Sequence, residues 1–196
     1  MSFGSPEMML FEMASSEVNA YFHGQHCEPA ICNMHTLAKS PGPQAAAEKA
    51  STLTLGAGLG GREFFGAGAL SLDEVFSPVQ LLVDLELKDQ AQRLVQGLDT
   101  ECDVEACVED VRAGISRGFT GLNRTLDGCS RLHWRPRLFN RQLLATWQAQ
   151  GGPRLEDEAR QLARELVAKH DWELGPKVRA ELDRIYRRAE QELGAA

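Results

Sequence analysis

The sequence predicts an α/β fold with a helical C-terminal tail, and three observations carry that prediction. Residues 56–84 read GAGLGGREFFGAGALSLDEVFSPVQLLVD, a helix closing on glycines, a short strand at 62–66, a glycine-rich crossing at 66–70 and a new helix entered at Ser77 and Pro78. That order, a strand between two helices, is the repeating unit of an α/β protein. Upstream, residues 28–33 read as a second short strand between two helical stretches. Downstream of residue 155, arginine and glutamate recur at three- and four-residue spacing, which marks solvated helical faces.

Taken in order, Ser5 is placed to cap a helix whose first position is Pro6, with Met9, Met13, Ser16 and Ala20 at helical spacing to about residue 22. Residues 36–43, TLAKSPGP, form a loop because Pro41, Gly42 and Pro43 interrupt regular structure. An alanine-rich helix follows from Gln44, with Glu48 and Lys49 assigned to its exposed face, and Gly60 and Gly61 end it. The helix expected at 78–98 turns Leu82, Leu85 and Leu87 inward and leaves Lys88, Asp89, Gln92 and Arg93 wet. Residues 99–103 break the chain, 104–115 form a shorter helix and 114–127 read as irregular or weakly helical. The aromatic and basic run His133–Arg141 turns into a helix at 142–150, and two charged helices, 155–170 and 177–193, close the chain. The expected organisation is an α/β portion over 1–100 with a helical extension of the same domain over 101–196.

With 196 residues, 43% of them apolar and 25% charged, the chain can bury a core. Its net charge of −7 argues against nucleic acid as a partner, since phosphate neutralisation needs a concentrated basic face. No apolar run approaches the ~20 residues that span a bilayer, so no membrane is expected and the protein reads as cytoplasmic. The cysteines, Cys27, Cys32, Cys102, Cys107 and Cys129, are odd in number and suit reduced thiols better than a disulfide framework.

The segment from His23 to His35 carries the most reactive residue types. His23, His26, Cys27, Cys32 and His35 are zinc-ligating side chains, yet they lack a knuckle or an i, i+4 helical pairing, and a strand at 28–33 would send Cys27 and Cys32 to different faces. A small zinc module is therefore weighed against a buried strand with small thiols. Cys32 and His35 also invite a nucleophile–base reading, against a packed cysteine beside a solvated histidine. No P-loop, no G-x-S-x-G, no H-E-x-x-H and no G-x-G-x-x-G after a strand is present.

Several stretches carry a family resemblance. GSPEMMLFEMASSEVNAYFHG at residues 4–24, Thr36-Leu-Ala-Lys39-Ser-Pro-Gly-Pro-Gln44-Ala-Ala-Ala-Glu48-Lys49-Ala, the GAG-x-L and FS-x-x-Q-L-x-x-D pieces of 56–84, and WRPRLFNR at 134–141 follow one another in order. In this series the chain resembles the trimethylamine methyltransferase family of corrinoid-dependent enzymes, which act on trimethylamine, glycine betaine and related amines. The resemblance implies a (β/α)8 TIM barrel, of which this chain is similar to the C-terminal half, because a whole barrel takes about 250 residues. The expected arrangement is thus a truncated barrel, a partner for a missing half, or a homo-oligomer that covers its open sheet edge.

The same resemblance implies methyl transfer from a methylated amine to a corrinoid (cobalamin) carried by a partner protein, with no cofactor bound directly. Thr36, Lys39, Gln44 and Glu48, with the backbone at Gly66 and Gly68, are the candidate substrate-binding residues at the strand ends, and no catalytic residue is assigned. Lys39 suits a structural or carboxylate-binding role, and Glu48 reads equally as an exposed helix carboxylate. The chain departs from the family where a histidine-bearing run is replaced by residues 117–125, where Leu37 stands at an acidic position, where a glycine-rich strand end is Ala30-Ile-Cys-Asn-Met, and in lacking pyrrolysine. These losses support an alternative, a truncated non-catalytic homologue acting as a binding or structural remnant.

Overall fold

The structure, a computed structural model, describes residues 4–23, 32–98 and 103–194. Its element order is α1 (Pro6–His23), β1 (Cys32–Asn33), α2 (Pro43–Gly58), β2 (Phe64–Phe65), β3 (Ala69–Leu70), β4 (Val75–Phe76), α3 (Pro78–Gln96), α4 (Val104–Arg117), α5 (Asn123–Arg131), α6 (Leu144–Ala149), α7 (Leu155–Ala168) and α8 (Pro176–Leu193). The chain is α/β in kind but mostly helical. It divides into two compact units, residues 1–163 and 164–196, with the boundary inside α7.

In α1, the Ser5 side chain accepts from the Met8 N–H at 3.3 Å, and Met13 and Ser16 form the buried face that the spacing predicts. The Glu7 carboxyl is held below its usual range by its own backbone N–H and by Ser5. Pro43 opens α2, whose buried residues Ala45, Lys49, Thr52, Leu53, Gly56 and Ala57 recur at i, i+4, i+7, i+8, i+11 and i+12. Lys49, expected on the wet face, therefore lies on the buried stripe, with none of its side chain exposed.

β1 and β2 pair in parallel, Cys32 opposite Phe64 and Asn33 opposite Phe65, and the Met34 N–H continues the ladder to the Phe65 carbonyl at 2.9 Å. With α2 between them they make one βαβ unit. After β2 the glycine-rich segment is not a plain crossing. Ala69 and Leu70 pair antiparallel with Phe76 and Val75, so β3 and β4 form a small hairpin that sequence pattern did not reveal.

Ser77 caps α3 by accepting from the Gln80 N–H at 3.2 Å, and Pro78 occupies its first turn. Replacing Ser77 with Ala is expected to destabilise the protein by about 1 kcal/mol in a urea titration, while Ser77→Asp keeps most of that stability. The buried side of α3 is Gln80, Val83, Asp84, Glu86, Leu87 and Ala91. Leu87 faces inward as expected, whereas Leu85 is 42% exposed and Leu82 half-buried. The inward stripe had been hidden by its three polar members, Gln80, Asp84 and Glu86.

α2 and α3 pack side by side, α2 against β1 and α3 against β3. Met34, Leu53, Val83, Leu87 and Ala91 form the main core, flanked by Phe64, Phe139 and Leu155, which tie distant segments to it. A second small cluster joins Ala38, Ala45 and Leu70 across the loop after β1, α2 and the hairpin. Asp103 caps α4 through the Ala106 N–H at 3.1 Å. The region read as irregular or weakly helical holds the end of α4, a turn in which the Phe119 ring covers Gly114, and the start of α5, so the helical alternative is the one present.

In the second unit α8 is exposed along its length and carries Arg184–Glu181 and Arg188–Glu192 pairs one turn apart. The Glu181 carboxyl is held low by its hydrogen bond from Arg184. Among the described residues, no helix is long and apolar enough to cross a membrane.

Candidate functional site

The C-terminal ends of the parallel strands release two loops, residues 34–42 after β1 and 66–77 after β2. The side chains of α2 and α3 meet them there. In an α/β unit this end of the strands is where loops are free to carry a ligand while helices and sheet fix their geometry.

Beneath the loops lies a buried charge network. Lys49 Nζ donates to Asp84 Oδ2 at 2.6 Å, to the Ala69 carbonyl at 2.7 Å and to the Gly66 carbonyl at 3.3 Å. Three acceptors match the three donors of an ammonium group, so the cation is buried with its hydrogen bonds complete. Asp84 Oδ2 also accepts from the Gly68 N–H at 2.8 Å, and Oδ1 accepts from Gln80 Nε2 at 2.6 Å. Both side chains of the ion pair are fully buried. The network thus spans α2, α3 and three backbone positions of the loop after β2.

The glycines of that loop have steric reasons. Gly66 and Gly68 adopt φ of +78° and +82°. A Cβ at Gly68 would stand 2.6 Å from Phe76 Cε2 and 3.1 Å from Leu81 Cβ, so the backbone comes as close to its neighbours as only glycine permits. The turn that follows is less usual: Ser71, Leu72 and Asp73 have φ of +50°, +58° and +66°. Three successive left-handed residues without glycine cost energy that the surroundings must offset. Bonds from the first loop do so, with the Ser71 N–H on the Ala38 carbonyl at 2.9 Å and the Leu72 N–H on the Thr36 carbonyl at 3.0 Å. Lys39 Nζ adds a bond to Ser71 Oγ at 2.8 Å, and that hydroxyl donates to Glu74 Oε2 at 2.9 Å.

A third group sits at the start of α2. Thr36 Oγ1 donates to Glu48 Oε2 at 2.5 Å while accepting from the Ala38 N–H at 2.9 Å, and Gln44 Nε2 donates to Glu48 Oε1 at 2.9 Å. Both carboxylate oxygens are therefore aimed by neutral donors. Glu48 opens onto a groove of about 450 Å³ between α1 and α2, walled by Pro6, Met9, Leu37 and Ala47, with Gln44 beside it. One oriented carboxylate among apolar walls suits a small cation with greasy substituents.

Of the residues expected to bind substrate, Thr36, Gln44 and Glu48 thus come together, Lys39 turns to the hairpin, and Gly66 and Gly68 belong to the Lys49–Asp84 network. Sequence reasoning missed Lys49, Gln80, Asp84, Ser71 and Glu74. The period of α2, which runs through position 49, is the one signal that could have found Lys49. Of the segment read as a zinc module, His26 and Cys27 lie outside the described residues. His23 ends α1, and His35 Nδ1 lies 3.8 Å from Asp73 Oδ2. Among the described residues, no three His, Cys, Asp or Glu side chains are grouped to hold a metal ion.

Comparison with known proteins gives a consistent set of likenesses. The model of the trimethylamine methyltransferase (MTTB) family matches residues 1–194. Trimethylamine methyltransferase MttB2 of Methanosarcina mazei is 29% identical over 170 residues, 85% of this chain and 33% of the relative. Trimethylamine methyltransferase MttB of Methanosarcina barkeri matches to the same extent, 29% over 170 residues, with 85% and 33% covered. Its namesake from Methanosarcina thermophila is 28% identical over 170 residues, covering 85% of this chain and 34% of that protein. The chain spans about a third of the length of the curated relatives it matches.

Proposed function

Since the chain belongs to the trimethylamine methyltransferase family, we propose that it takes part in methyl transfer from a methylated amine, of the trimethylamine or glycine betaine type, to a corrinoid carried by a partner protein. The family match along residues 1–194 is the observation that carries this reading. In it the β1–α2–β2 unit is part of a (β/α)8 barrel, and the partner docks over the strand ends.

The corrinoid, when docked, supplies the metal that accepts the methyl group. The residues at the rim suit such a face: Phe65, Leu72, Val75 and Phe76 leave apolar surface exposed there, and no side chain of this chain is required as a metal ligand. The work left to this chain is to bind and orient the amine. The positive nitrogen needs a counter-charge, its methyl groups need apolar walls, and the leaving nitrogen must take back the C–N electron pair as the methyl departs. Glu48, held by Thr36 and Gln44, supplies the counter-charge, and Met9, Pro6 and Leu37 supply the walls. Water exclusion by those walls strengthens the attraction and keeps the reacting bond dry. Lys39, bonded to Ser71, suits the carboxylate end of a betaine.

The experiment is methyl transfer from trimethylamine and from glycine betaine to a reduced corrinoid protein, with the purified chain. If Glu48 holds the amine, Glu48→Gln raises KM by roughly tenfold or more without lowering kcat, because the positive charge that Glu48 answers is greatest in the bound ground state and falls as the nitrogen takes back the C–N pair. An unchanged KM would remove Glu48 from the site.

One observation favours the second reading, a non-catalytic binding or structural homologue. Each of the six candidate binding residues already has an internal role: Thr36 and Gln44 on Glu48, Lys39 on Ser71, the Gly66 carbonyl on Lys49 and the Gly68 N–H on Asp84. No transfer with either amine, from a sample shown by circular dichroism to be folded, would select that reading.

A further inference from the structure

The run Trp134–Arg141 takes no part in the site above, yet its charge sets it apart. Residues 128–155 contain five arginines and no aspartate or glutamate, in a chain whose net charge is −7. Elsewhere five arginines sit on carboxylates: Arg112 on Glu109, Arg124 on Asp110, Arg160 on Asp157, Arg184 on Glu181, Arg188 on Glu192. Among the described residues, the side chains of Arg135, Arg137 and Arg141 have no carboxylate partner. Arg141 lies over the Trp134 ring, 5.5 Å from its centroid.

The backbone that presents these arginines is fastened at several points. Leu138 is buried, Phe139 packs on the main core, and the Trp134 and Phe139 rings meet edge to face at 6.1 Å. The Arg137 N–H donates to Glu86 Oε1 at 2.8 Å, which commits that buried carboxylate to the backbone and leaves the guanidinium outside. Pro136 fixes the intervening φ, and Arg135 and Arg137 both line the groove. The result is a set of cationic forks on a rigid support along a groove of about 450 Å³, which Glu158 of α7 also lines. A volume of that size suits a small molecule.

We propose that this groove is a binding site for a small polyvalent oxyanion, a phosphorylated or polycarboxylate molecule, held by Arg135, Arg137 and Arg141. Planar guanidinium groups pair with phosphate and carboxylate oxygens through two parallel hydrogen bonds. Glu158, the carboxylate in this lining, favours a ligand that turns a hydroxyl or amine donor toward it. The site is independent of the methyl-transfer reading, since it shares no residue with it.

Titration calorimetry of the full chain with pyrophosphate and with citrate tests the site, the two arms separating phosphate from carboxylate ligands. Saturable one-to-one binding by either, weakened by added salt, is the expected result. Arg135→Gln and Arg137→Gln should each weaken it by roughly tenfold, and Arg→Lys at the same positions should recover only part. Thermal melts of the variants check that they fold. No saturable binding of either anion, equal binding by a folded Arg135→Gln/Arg137→Gln/Arg141→Gln variant, or binding of poly-glutamate alone would each overturn the proposal.

Discussion

Replacing Lys49 with methionine is expected to lower the stability of the protein by about 3–5 kcal/mol, read from the midpoint of a urea titration. The reason lies in what remains. Methionine fills most of the lysine volume, so packing changes little, but Asp84 keeps its buried charge with only Gln80 and the Gly68 N–H to answer it. The carbonyls of Gly66 and Ala69 lose their donor at the same time. A buried pair is weak support for stability when compared with an apolar replacement of both members, and costly only when one member is removed. Lys49→Met/Asp84→Leu should accordingly recover much of the loss. If the single and the double variants were equally unstable, the Lys49 and Asp84 charges would not be coupled, and the geometry would have to be explained by packing.

The same pair explains how far the fold could be read from sequence. Helices α1 and α3 follow from capping chemistry, since Ser5 and Ser77 do cap and Pro6 and Pro78 do open their helices, and α2 and α8 follow from composition and charge period, although Pro43, read as loop, is the first residue of α2. Lys49 and Asp84 were placed wrongly or passed over because ionisable side chains are almost never fully buried unless paired, and their partners are 35 residues apart. Local pattern carries no information about such a partner. The hairpin escaped for another reason. Its turn uses Ser71, Leu72 and Asp73 at positive φ, where a tight hairpin is ordinarily announced by glycine or asparagine. That geometry exists because Thr36, Ala38 and Lys39 hold it from the first loop.

The candidate site was legible to the same degree. The motif spacing of Thr36, Gln44 and Glu48 did bring three side chains together, because the loop after β1 folds back on the first turn of the helix it leads into. The residues contributed by the hairpin and α3 come from a different βα segment. No periodicity within 36–48 points to Ser71, Glu74 or Asp84.

Gly68→Ala is the second substitution with a large expected effect, a loss of roughly 2–4 kcal/mol, and its cause can be separated into two parts. The first is conformational: φ of +82° is open to glycine and strained for alanine, a cost of about 1 kcal/mol. The second is steric, since the new methyl meets the Phe76 ring at 2.6 Å and Leu81 Cβ at 3.1 Å, an overpacking of the kind that costs about 1–3 kcal/mol. Phe76 is 64% exposed, so its ring has room to move away, whereas Leu81 Cβ is fixed to α3. Phe76→Leu should therefore relieve part of the Gly68→Ala penalty and leave the rest. Because the Gly68 N–H is also a ligand of Asp84, any backbone shift that accommodates the methyl lengthens that 2.8 Å bond and weakens the Lys49 network with it. A double-mutant cycle on Gly68→Ala and Lys49→Met then gives a coupling term of the order of 1 kcal/mol. Strict additivity would mean that the glycine turn and the buried ion pair stabilise the loop after β2 independently, and the network would lose its claim to position that loop.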